Sequence, residues 1–402
     1  MAKWRSSTWG DEISLEYGKG IRGYSEIAGP YRVYGSNGPI GWTLKPLAPG
    51  PGVILGRKGA YRGVRFSSEP FYVIDTAYYV VPKTNLDMRW LYYAIIYHKL
   101  GEIDDGSPIP STTRSAVYVR ELDVPPIEEQ RSIASVLGAL DDKIDRNRCM
   151  NETLEEMARA IFKDWFVEFG PTRAKMEGRA PYLAPEIWTL FPDRLDEEEK
   201  PERWEMGTLA SYAKLNPESW SRSNYPSRVE YVDLSGTKWG IIESIETYDQ
   251  ERAPSRAQRV LRFGDTIVGM VRPGNGSYAL LGTDGLTGST GFVVLRPKRS
   301  DTREFTYLAA TAPENIDRLA HLADGAAYPS VHPEIVLATE AVVVEQRLVE
   351  AFSATTGSLF DRMKANLDEN HLLAAIRDLL LPKLVTGEIS VKTASNLVEA
   401  VA

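Results

Sequence analysis

Two long ladders of apolar residues constrain the fold of this 402-residue chain more than any other feature. Steps of four and three residues trace one ladder from Leu140 to Trp165 and another, 219 residues later, from Leu359 to Leu384. This spacing is typical of a coiled-coil seam. Each ladder carries two asparagines at matching positions: Asn147 and Asn151 in the first, Asn366 and Asn370 in the second. A seam asparagine costs stability but selects register and partner, so we expect two long helices that pair with each other.

The sequence around the ladders is also repeated. The segment 105–111 resembles 324–330, and Glu129-Gln130-Arg131 is matched by Glu345-Gln346-Arg347. Short β-rich runs separated by glycine, proline and asparagine precede each ladder. We therefore expect one mixed domain and one long helix, used twice. The expected boundaries are 1–124 for the first mixed domain, 125–170 for the first long helix, 171–203 for a connector, 204–343 for the second mixed domain, 344–386 for the second long helix and 387–402 for a tail.

Proline and glycine mark the expected ends of the long helices. Pro125-Pro126 suits the first turn of a helix, and Gly170-Pro171 follows the last predicted residue, near Phe169. At 1.5 Å per residue the first helix should be roughly 60 Å long. The second helix is expected to begin near Val344 and to break around Pro382.

Composition excludes several classes of protein. A single cysteine, Cys149, excludes internal disulfides and multi-cysteine zinc sites. No apolar run approaches the roughly 18 residues needed to span a bilayer, and the N-terminus lacks a signal-peptide pattern. We expect a cytoplasmic protein without membrane contact. The net charge of −8 argues against nucleic acid, but residues 28–68 hold six bases and no acid, so this segment could track phosphates locally.

Catalytic motifs are weak. Gly18-Lys19-Gly20-Ile21-Arg22-Gly23 fits a dinucleotide-binding pattern, but no helix pattern follows it. Residues 192–200 mimic a metal-dependent nuclease signature inside an acidic connector. The four histidines lack metal-ligand spacing, and no adenine-methyltransferase motif is present. We expect no cofactor, no metal and no catalysis by the chain itself.

The helical regions resemble one known family. Pro125 to Arg131, Ala139 to Ile144, Asn147 to Leu154 and Trp165 to Phe169 are similar to the central region of the specificity subunits of type I restriction–modification systems. Asn366 to Asn370 and Leu380 to Glu388 are similar to the distal region, and Val33 to Gly38 is in the style of the family. The resemblance implies an α/β (α+β) fold with two target-recognition domains, two antiparallel coiled-coil helices and an internal pseudo-twofold repeat.

The resemblance also implies partners and a function. Each recognition domain would read half of a bipartite target on double-stranded DNA, with the helix pair as a spacer. Two methyltransferase subunits would dock to form an adenine-N6 methylating enzyme, and restriction or motor subunits would add cleavage. Arginine, lysine and asparagine are the residues that phosphates and base edges require. Our DNA-binding candidates are Ser36, Asn37, Arg57, Lys58, Arg62 and Arg114 in the first domain, and Arg272, Asn275, Ser277, Tyr278 and His332 in the second.

Some alternatives stay open. The aromatic cluster of Phe162, Trp165, Phe166 and Phe169 could pack on the chain's own second domain or form a methyltransferase-subunit interface. The chain could also be a fragment of a fused restriction–modification enzyme, although a start at Met1 argues against this. A third possibility is a coiled-coil scaffold that does not bind DNA.

Overall fold

The computed structural model describes residues 4–59, 62–104, 106, 109–221 and 223–399. Asp105, Ser107 and Pro108 of the repeated loop lie outside this part of the chain. The chain forms two compact units. The first unit consists of Met1–Asn147 and Asp368–Ala402, and the second of Arg148–Leu367. Each unit therefore contains one mixed domain and part of both long helices.

The first unit is built on a four-stranded antiparallel sheet in the order β2-β8-β5-β6. A smaller sheet, β4-β3-β7, and the pair β1-β9 complete its strands. The elements are β1 Arg5–Thr8, α1 Trp9–Glu12, β2 Ile13–Tyr17, β3 Tyr31–Tyr34, β4 Pro39–Thr43, β5 Gly52–Gly56, β6 Val64–Ser67, β7 Tyr72–Val73, β8 Ala77–Pro82, α2 Met88–Tyr97, α3 Arg114–Tyr118 and β9 Glu121–Val124. Every residue of β5 is buried, because this inner strand lies beneath α2.

The second mixed domain repeats this topology. Its elements are α5 Gly170–Met176, α6 Pro185–Trp188, β10 Glu205–Thr208, β11 Ala213–Leu215, β12 Arg228–Val232, β13 Thr237–Lys238, β14 Ile241–Ile242, β15 Glu246–Asp249, β16 Ala257–Val260, β17 Thr266–Gly269, β18 Tyr278–Leu280, β19 Leu286–Ser289, β20 Phe292–Pro297, α7 Arg303–Ala310, α8 Pro313–Leu322, α9 Pro333–Leu337 and β21 Glu340–Val343. The sheet β11-β20-β17-β18 corresponds to β2-β8-β5-β6, and the pair β10-β21 corresponds to β1-β9. In the remaining sheet, β15-β12-β19-β16, the first three strands correspond to β4-β3-β7, including the parallel pair. The expected repeat and mixed α/β fold are thus confirmed.

The two long helices have equal lengths and equivalent bounds. Helix α4 spans Ile127–Phe166 and α10 spans Gln346–Val385, which is 40 residues each and a shift of 219 at both ends. Glu128 and Glu129 occupy the first turn of α4, where negative charge complements the helix dipole. The helix α10 continues through Pro382 instead of breaking there. Pro382 has no N–H to donate to the carbonyl four residues earlier, and the helix ends three residues later, at Val385.

Within each unit the two helices run antiparallel. In the first unit Asn147 pairs with Asn370, and Asp141 pairs with Arg377, so numbers fall along one helix as they rise along the other. In the second unit Asn151 pairs with Asn366, and Phe162 packs on Phe352. A final helix, α11, spans Val391–Glu399. No helix within the described residues is both long and apolar enough to cross a membrane.

Candidate nucleic-acid interface

In the first unit, the loop after the inner strand β5 is held by backbone pairing to a second loop. The Gly59 N–H donates to the Pro110 carbonyl at 3.0 Å, and the Thr112 N–H donates to the Arg57 carbonyl at 2.9 Å. Lys58 and Ser111 form an isolated antiparallel bridge between these bonds. Two loops far apart in sequence thus present one short surface, which we call the first strand-end loop pair (residues 57–59 and 110–112).

Cationic side chains of this loop pair are placed over aromatic rings. The Arg57 guanidinium donates to the Asp75 carbonyl at 3.0 and 3.2 Å and lies 5.0 Å from the Tyr17 ring centre. Arg114 lies 4.2 Å from the same ring. Burial, reinforced by Tyr17, raises the pKa of Tyr78 to about 12, so this neighbouring phenol stays neutral at physiological pH. The arrangement holds two permanent positive charges beside a half-exposed tyrosine.

The remaining candidates of the first unit differ in availability. Lys58 and Asn37 are exposed, whereas the Ser36 hydroxyl donates to the Lys58 carbonyl and so supports the loop. All three nitrogens of the Arg62 guanidinium donate to backbone carbonyls, those of Gly59, Gly101 and Ile103. Arg62 therefore ties loops together with three of the five N–H groups of its guanidinium. We place Lys58, Asn37, Arg57 and Arg114 at the surface of the candidate interface.

The second unit forms the same backbone frame with different side chains. The Arg272 N–H donates to the Pro329 carbonyl at 2.7 Å, and the Val331 N–H donates to the Met270 carbonyl at 3.1 Å. Val271 and Ser330 form the corresponding bridge. This second strand-end loop pair (residues 270–272 and 329–331) follows β17, the equivalent of β5. The described ends of the two repeated segments, residues 110–111 and 329–330, thus make equivalent backbone contacts.

Side chains around the second loop pair are a mixture of exposed and buried groups. The Arg272 guanidinium donates to the Ala327 carbonyl at 2.8 Å and lies 5.2 Å from the ring centre of the exposed Tyr328. Asn275 and His332 are exposed. Ser277 and Tyr278 are buried: the Ser277 hydroxyl donates to the Leu234 carbonyl, and Tyr278 packs among core residues. Arg272, Asn275 and His332 therefore lie at the surface, whereas Ser277 and Tyr278 are buried.

One residue at this surface, Trp239, was not among the sequence candidates. It lies between β13 and β14 at a positive φ of 46°, and its N–H donates to the Gly276 carbonyl at 2.6 Å. Its ring meets Tyr278 edge-on at 6.0 Å and remains 57% exposed. The dipeptide Trp239-Gly240 between two short strands was the available signal, since a large aromatic residue in a turn has no intrinsic reason to be there.

The seam asparagines are buried and pair within each unit. In the first unit, Asn147 Nδ2 donates to Asn370 Oδ1 at 2.9 Å and to Glu369 Oε2 at 2.7 Å. In the second, Asn366 Nδ2 donates to Asn151 Oδ1 at 2.8 Å, and Asn151 Nδ2 donates to the Met363 carbonyl at 3.1 Å. Each pair joins the first asparagine of one ladder to the second asparagine of the other. Such contacts form in one register alone, so they support the predicted role in register.

The aromatic cluster packs inside the second unit. Trp165 is 1% exposed, and Phe162 and Phe166 contact Phe305 and Phe352. An apolar groove of about 750 Å³ lies alongside, with Phe162, Phe166 and Phe169 in its wall. The cluster thus serves its own core and still presents aromatic surface in this groove.

The other predicted motifs show no cofactor geometry. Residues 18–30 form no helix, and Gly18 lies directly against the backbone of Val73 and Ile74. In the connector, Lys200 pairs with Asp196 and Glu198. Within the residues that the structure describes, no cluster of histidine, cysteine and acidic side chains could hold a metal ion.

Known proteins resemble this chain along most of its length. A sequence model of the type I restriction modification DNA specificity domain matches residues 34–156, which run from β3 into α4. The HindI specificity subunit of a type I restriction enzyme from Haemophilus influenzae is 24% identical over 379 residues, covering 79% of this chain and 81% of that protein. The MjaIX specificity subunit from Methanocaldococcus jannaschii is 23% identical over 328 residues, covering 78% and 72%.

A solved structure shows the same fold. The S subunit of a type I restriction–modification system from M. genitalium superposes with a TM-score of 0.54 at 15% identity, over 95% of this chain and 96% of that chain. The domain match and the curated relatives confirm the resemblance read from the helical regions. The chain is thus similar to the specificity subunits of type I restriction–modification systems.

Proposed function

We propose that this chain is the DNA-binding specificity subunit of a type I restriction–modification system, and that each unit reads one half of a bipartite target. The observation that carries the proposal is the strand-end loop pair, which occurs twice with the same backbone bonds and different side chains. A repeated frame with varied side chains suits two readers of the same ligand class that recognise different sequences.

The chemistry of the exposed side chains fits double-stranded DNA. In the first unit the exposed Lys58 and the half-buried Arg57 and Arg114 supply charge for phosphates, although Arg114 also lies 3.7 Å from Glu16; in the second unit the exposed Arg272 does so. Asn37, Asn275 and His332 are exposed side chains able to contact base edges. Arg62, which bonds three carbonyls, and the buried Ser277 and Tyr278 would act by holding these loops in shape.

The helix pair supplies the spacing in this proposal. A 40-residue helix is roughly 60 Å long, which exceeds the roughly 34 Å of one DNA turn. The asparagine pairs hold α4 and α10 in one register, so they would fix the separation between the two half-sites. Loss of register would then change the target spacing before it changes the bases that are read.

We further propose that methyltransferase subunits and restriction or motor subunits assemble on this chain, which itself performs no chemistry. The apolar groove beside Phe162, Phe166 and Phe169 is our candidate for one methyltransferase contact. Its wall also includes the exposed Lys163, which lies 3.0 Å from Glu168 and could pair with an acidic residue of a partner instead; Arg159, also in the wall, is already bonded to Glu155 and Thr311. Trp165 is almost fully buried and would contribute by supporting the phenylalanines.

The proposal is tested by purifying the chain alone and together with its methyltransferase partner. Alone, the chain should neither methylate nor cleave DNA; the complex should methylate adenine and shift duplexes in about 0.1 M salt. Methyl transfer by the chain alone would contradict the non-catalytic assignment. A complex that forms but shifts no duplex, even from a random pool, would instead favour a scaffold that does not bind DNA.

A further inference from the structure

Trp239 is the exposed tryptophan of this protein. All nine tryptophans lie in the part of the chain that the structure describes, and the other eight are buried or half-buried. The Trp239 ring is 57% exposed although it belongs to neither a long loop nor a terminus. An indole gains much by leaving water, so an ordered and exposed one indicates a surface that becomes covered.

The backbone holds this ring in place at a conformational cost. Trp239 adopts a positive φ, which is unfavourable for a residue with a large side chain. Its N–H bonds to the Gly276 carbonyl, and the next N–H, of Gly240, bonds to the Tyr278 carbonyl at 3.0 Å. A Cβ on Gly276 would lie 2.5 Å from the indole, so the ring fits only against a glycine. Strain of this kind is kept where a side chain has to be presented in one orientation.

A positively charged residue lies four residues before Gly276, the glycine against which the indole packs. Arg272 precedes the 3₁₀ turn Pro273–Asn275 that leads into Gly276, and it also has a positive φ, of 49°. Its side chain is exposed and lies over Tyr328, which is 73% exposed. The exposed indole thus lies against Gly276, four residues after an exposed arginine whose guanidinium packs on an exposed phenol.

We propose, on the basis of the proposed DNA-binding function, that Trp239 is a wedge that enters the duplex at a base step of the half-site read by the second unit. Base faces are covered inside a duplex, so an aromatic ring can reach them only by separating two stacked pairs. Arg272 contacts the phosphate beside the opened step and offsets part of the unstacking cost. In the described residues of the first unit no exposed tryptophan occurs, so the opened step is confined to one half-site.

The test uses the complex of the chain with its methyltransferase partner on its own methylation target. The adenine analogue 2-aminopurine, which becomes fluorescent when unstacked, is placed at successive positions of both half-sites, omitting the methylated adenine. Wild-type complex should raise the fluorescence at one step of one half-site. Trp239→Ala should abolish this rise and weaken binding by about tenfold, whereas Trp239→Phe should retain most of both.

The matched control is Phe263→Ala. Phe263 is 49% exposed in the same unit and lies 5.1 Å from the Arg303 guanidinium, but it precedes β17, whereas the second strand-end loop pair and Gly276, the glycine against the Trp239 ring, follow this strand. This variant should keep the fluorescence rise and the affinity. Acrylamide quenching gives a second measurement that does not depend on the alanine variant folding: DNA should protect a tryptophan signal in wild-type complex that is missing from Trp239→Phe.

Three outcomes overturn the proposal, and they are distinguishable. If Trp239→Ala keeps the fluorescence rise and binds within about twofold of wild type, the wedge is wrong while sequence-specific binding stands. If wild-type complex opens no step but still binds its target selectively, the wedge is likewise wrong. If the complex selects no DNA sequence, the proposed function fails, and the wedge fails with it.

Discussion

The two strand-end loop pairs share one backbone frame but place their cations at different positions. In the first unit the cations are Arg57 and Lys58, before the residue that donates to the proline carbonyl; in the second unit the donor itself is the cation, Arg272. The frame depends on backbone groups, so it tolerates side-chain change. The two units therefore share the backbone that presents a loop. In the proposed function, the bases that each unit recognises depend on the side chains of that loop.

A second difference concerns one buried, hydrogen-bonded side chain that follows the first strand of each unit, which we call the anchor of that unit. Buried Glu12 of the first unit accepts hydrogen bonds from Arg5, Ser7 and Thr84. The equivalent position of the second unit is Tyr212, whose hydroxyl donates to the Val342 carbonyl at 2.8 Å. The same place in the fold is held by a charged network in one unit and by a neutral phenol in the other.

The largest expected effect is on DNA affinity. Reversing charge in one loop pair, by Lys58→Glu or by Arg272→Glu, should weaken binding of the complex by roughly 10- to 100-fold, because a phosphate attraction becomes a repulsion. Titration by fluorescence anisotropy at two salt concentrations measures this effect. The control Arg131→Glu changes the net charge equally at an exposed residue of α4. If both loop variants match this control, the loop pairs do not face DNA.

Replacing one asparagine by leucine should lower the unfolding free energy by different amounts in the two asparagine pairs. Asn366→Leu leaves the buried Asn151 carbonyl oxygen without its donor and should cost about 1–3 kcal/mol of unfolding free energy. Asn370→Leu should cost less, because Asn147 still donates to Glu369. Replacing Asn151 together with Asn366 by leucine should recover most of the loss. Urea unfolding of the four proteins gives the comparison, and equal costs for the two single variants would contradict it.

Acid should destabilise the first anchor and spare the second. Burial alone would raise the pKa of Glu12, but the hydrogen bonds from Arg5, Ser7 and Thr84 outweigh it and lower the pKa to about 2. The folded pKa lies below the unfolded value of 4.5, so the stabilisation is complete above pH 4.5 and disappears as the pH falls towards 2.

We expect a loss of about 1–2 kcal/mol, since the exposed Arg5 partner is screened by solvent. Hydrogen exchange read by mass spectrometry at decreasing pH should show strand β1 opening before β10. Glu12→Gln should remove most of this pH dependence, whereas Tyr212→Phe should leave it unchanged. Simultaneous opening of β1 and β10 would contradict the anchor comparison.

The smallest expected effect concerns the ends of the long helices. Pro382 of α10 occupies the position that Lys163 has in α4. Pro382→Ala should stabilise the chain by about 1 kcal/mol, because it restores a backbone donor in the last helical turn. Lys163→Ala should change the stability by less than about 0.5 kcal/mol. Thermal unfolding measures both, and a destabilising Pro382→Ala would show that the proline is needed in the fold.

The sequence predicted the helix pair well because its signal is periodic. The ladders and their asparagines gave two paired helices, and the structure pairs those same asparagines. The predicted break at Pro382 was wrong, since the helix continues past the missing donor and ends at Val385. The loops were harder to predict: whether Arg62 or Tyr278 is free depends on carbonyls and rings from distant segments. Trp239 was missed because the position of its ring depends on a contact with Gly276, which is distant in sequence.

The central claim is that each strand-end loop pair reads one half of a split DNA target. Single-molecule sequencing of methylated adenines tests it most directly, in cells that make the methyltransferase partner with either the wild-type chain or Asn275→Ala, which removes a proposed base contact beside the second loop pair. We predict a motif with two specified halves and an unspecified gap for wild type, and relaxed bases in only one half for the variant. A continuous motif, or equal relaxation of both halves in Asn275→Ala, would contradict the claim.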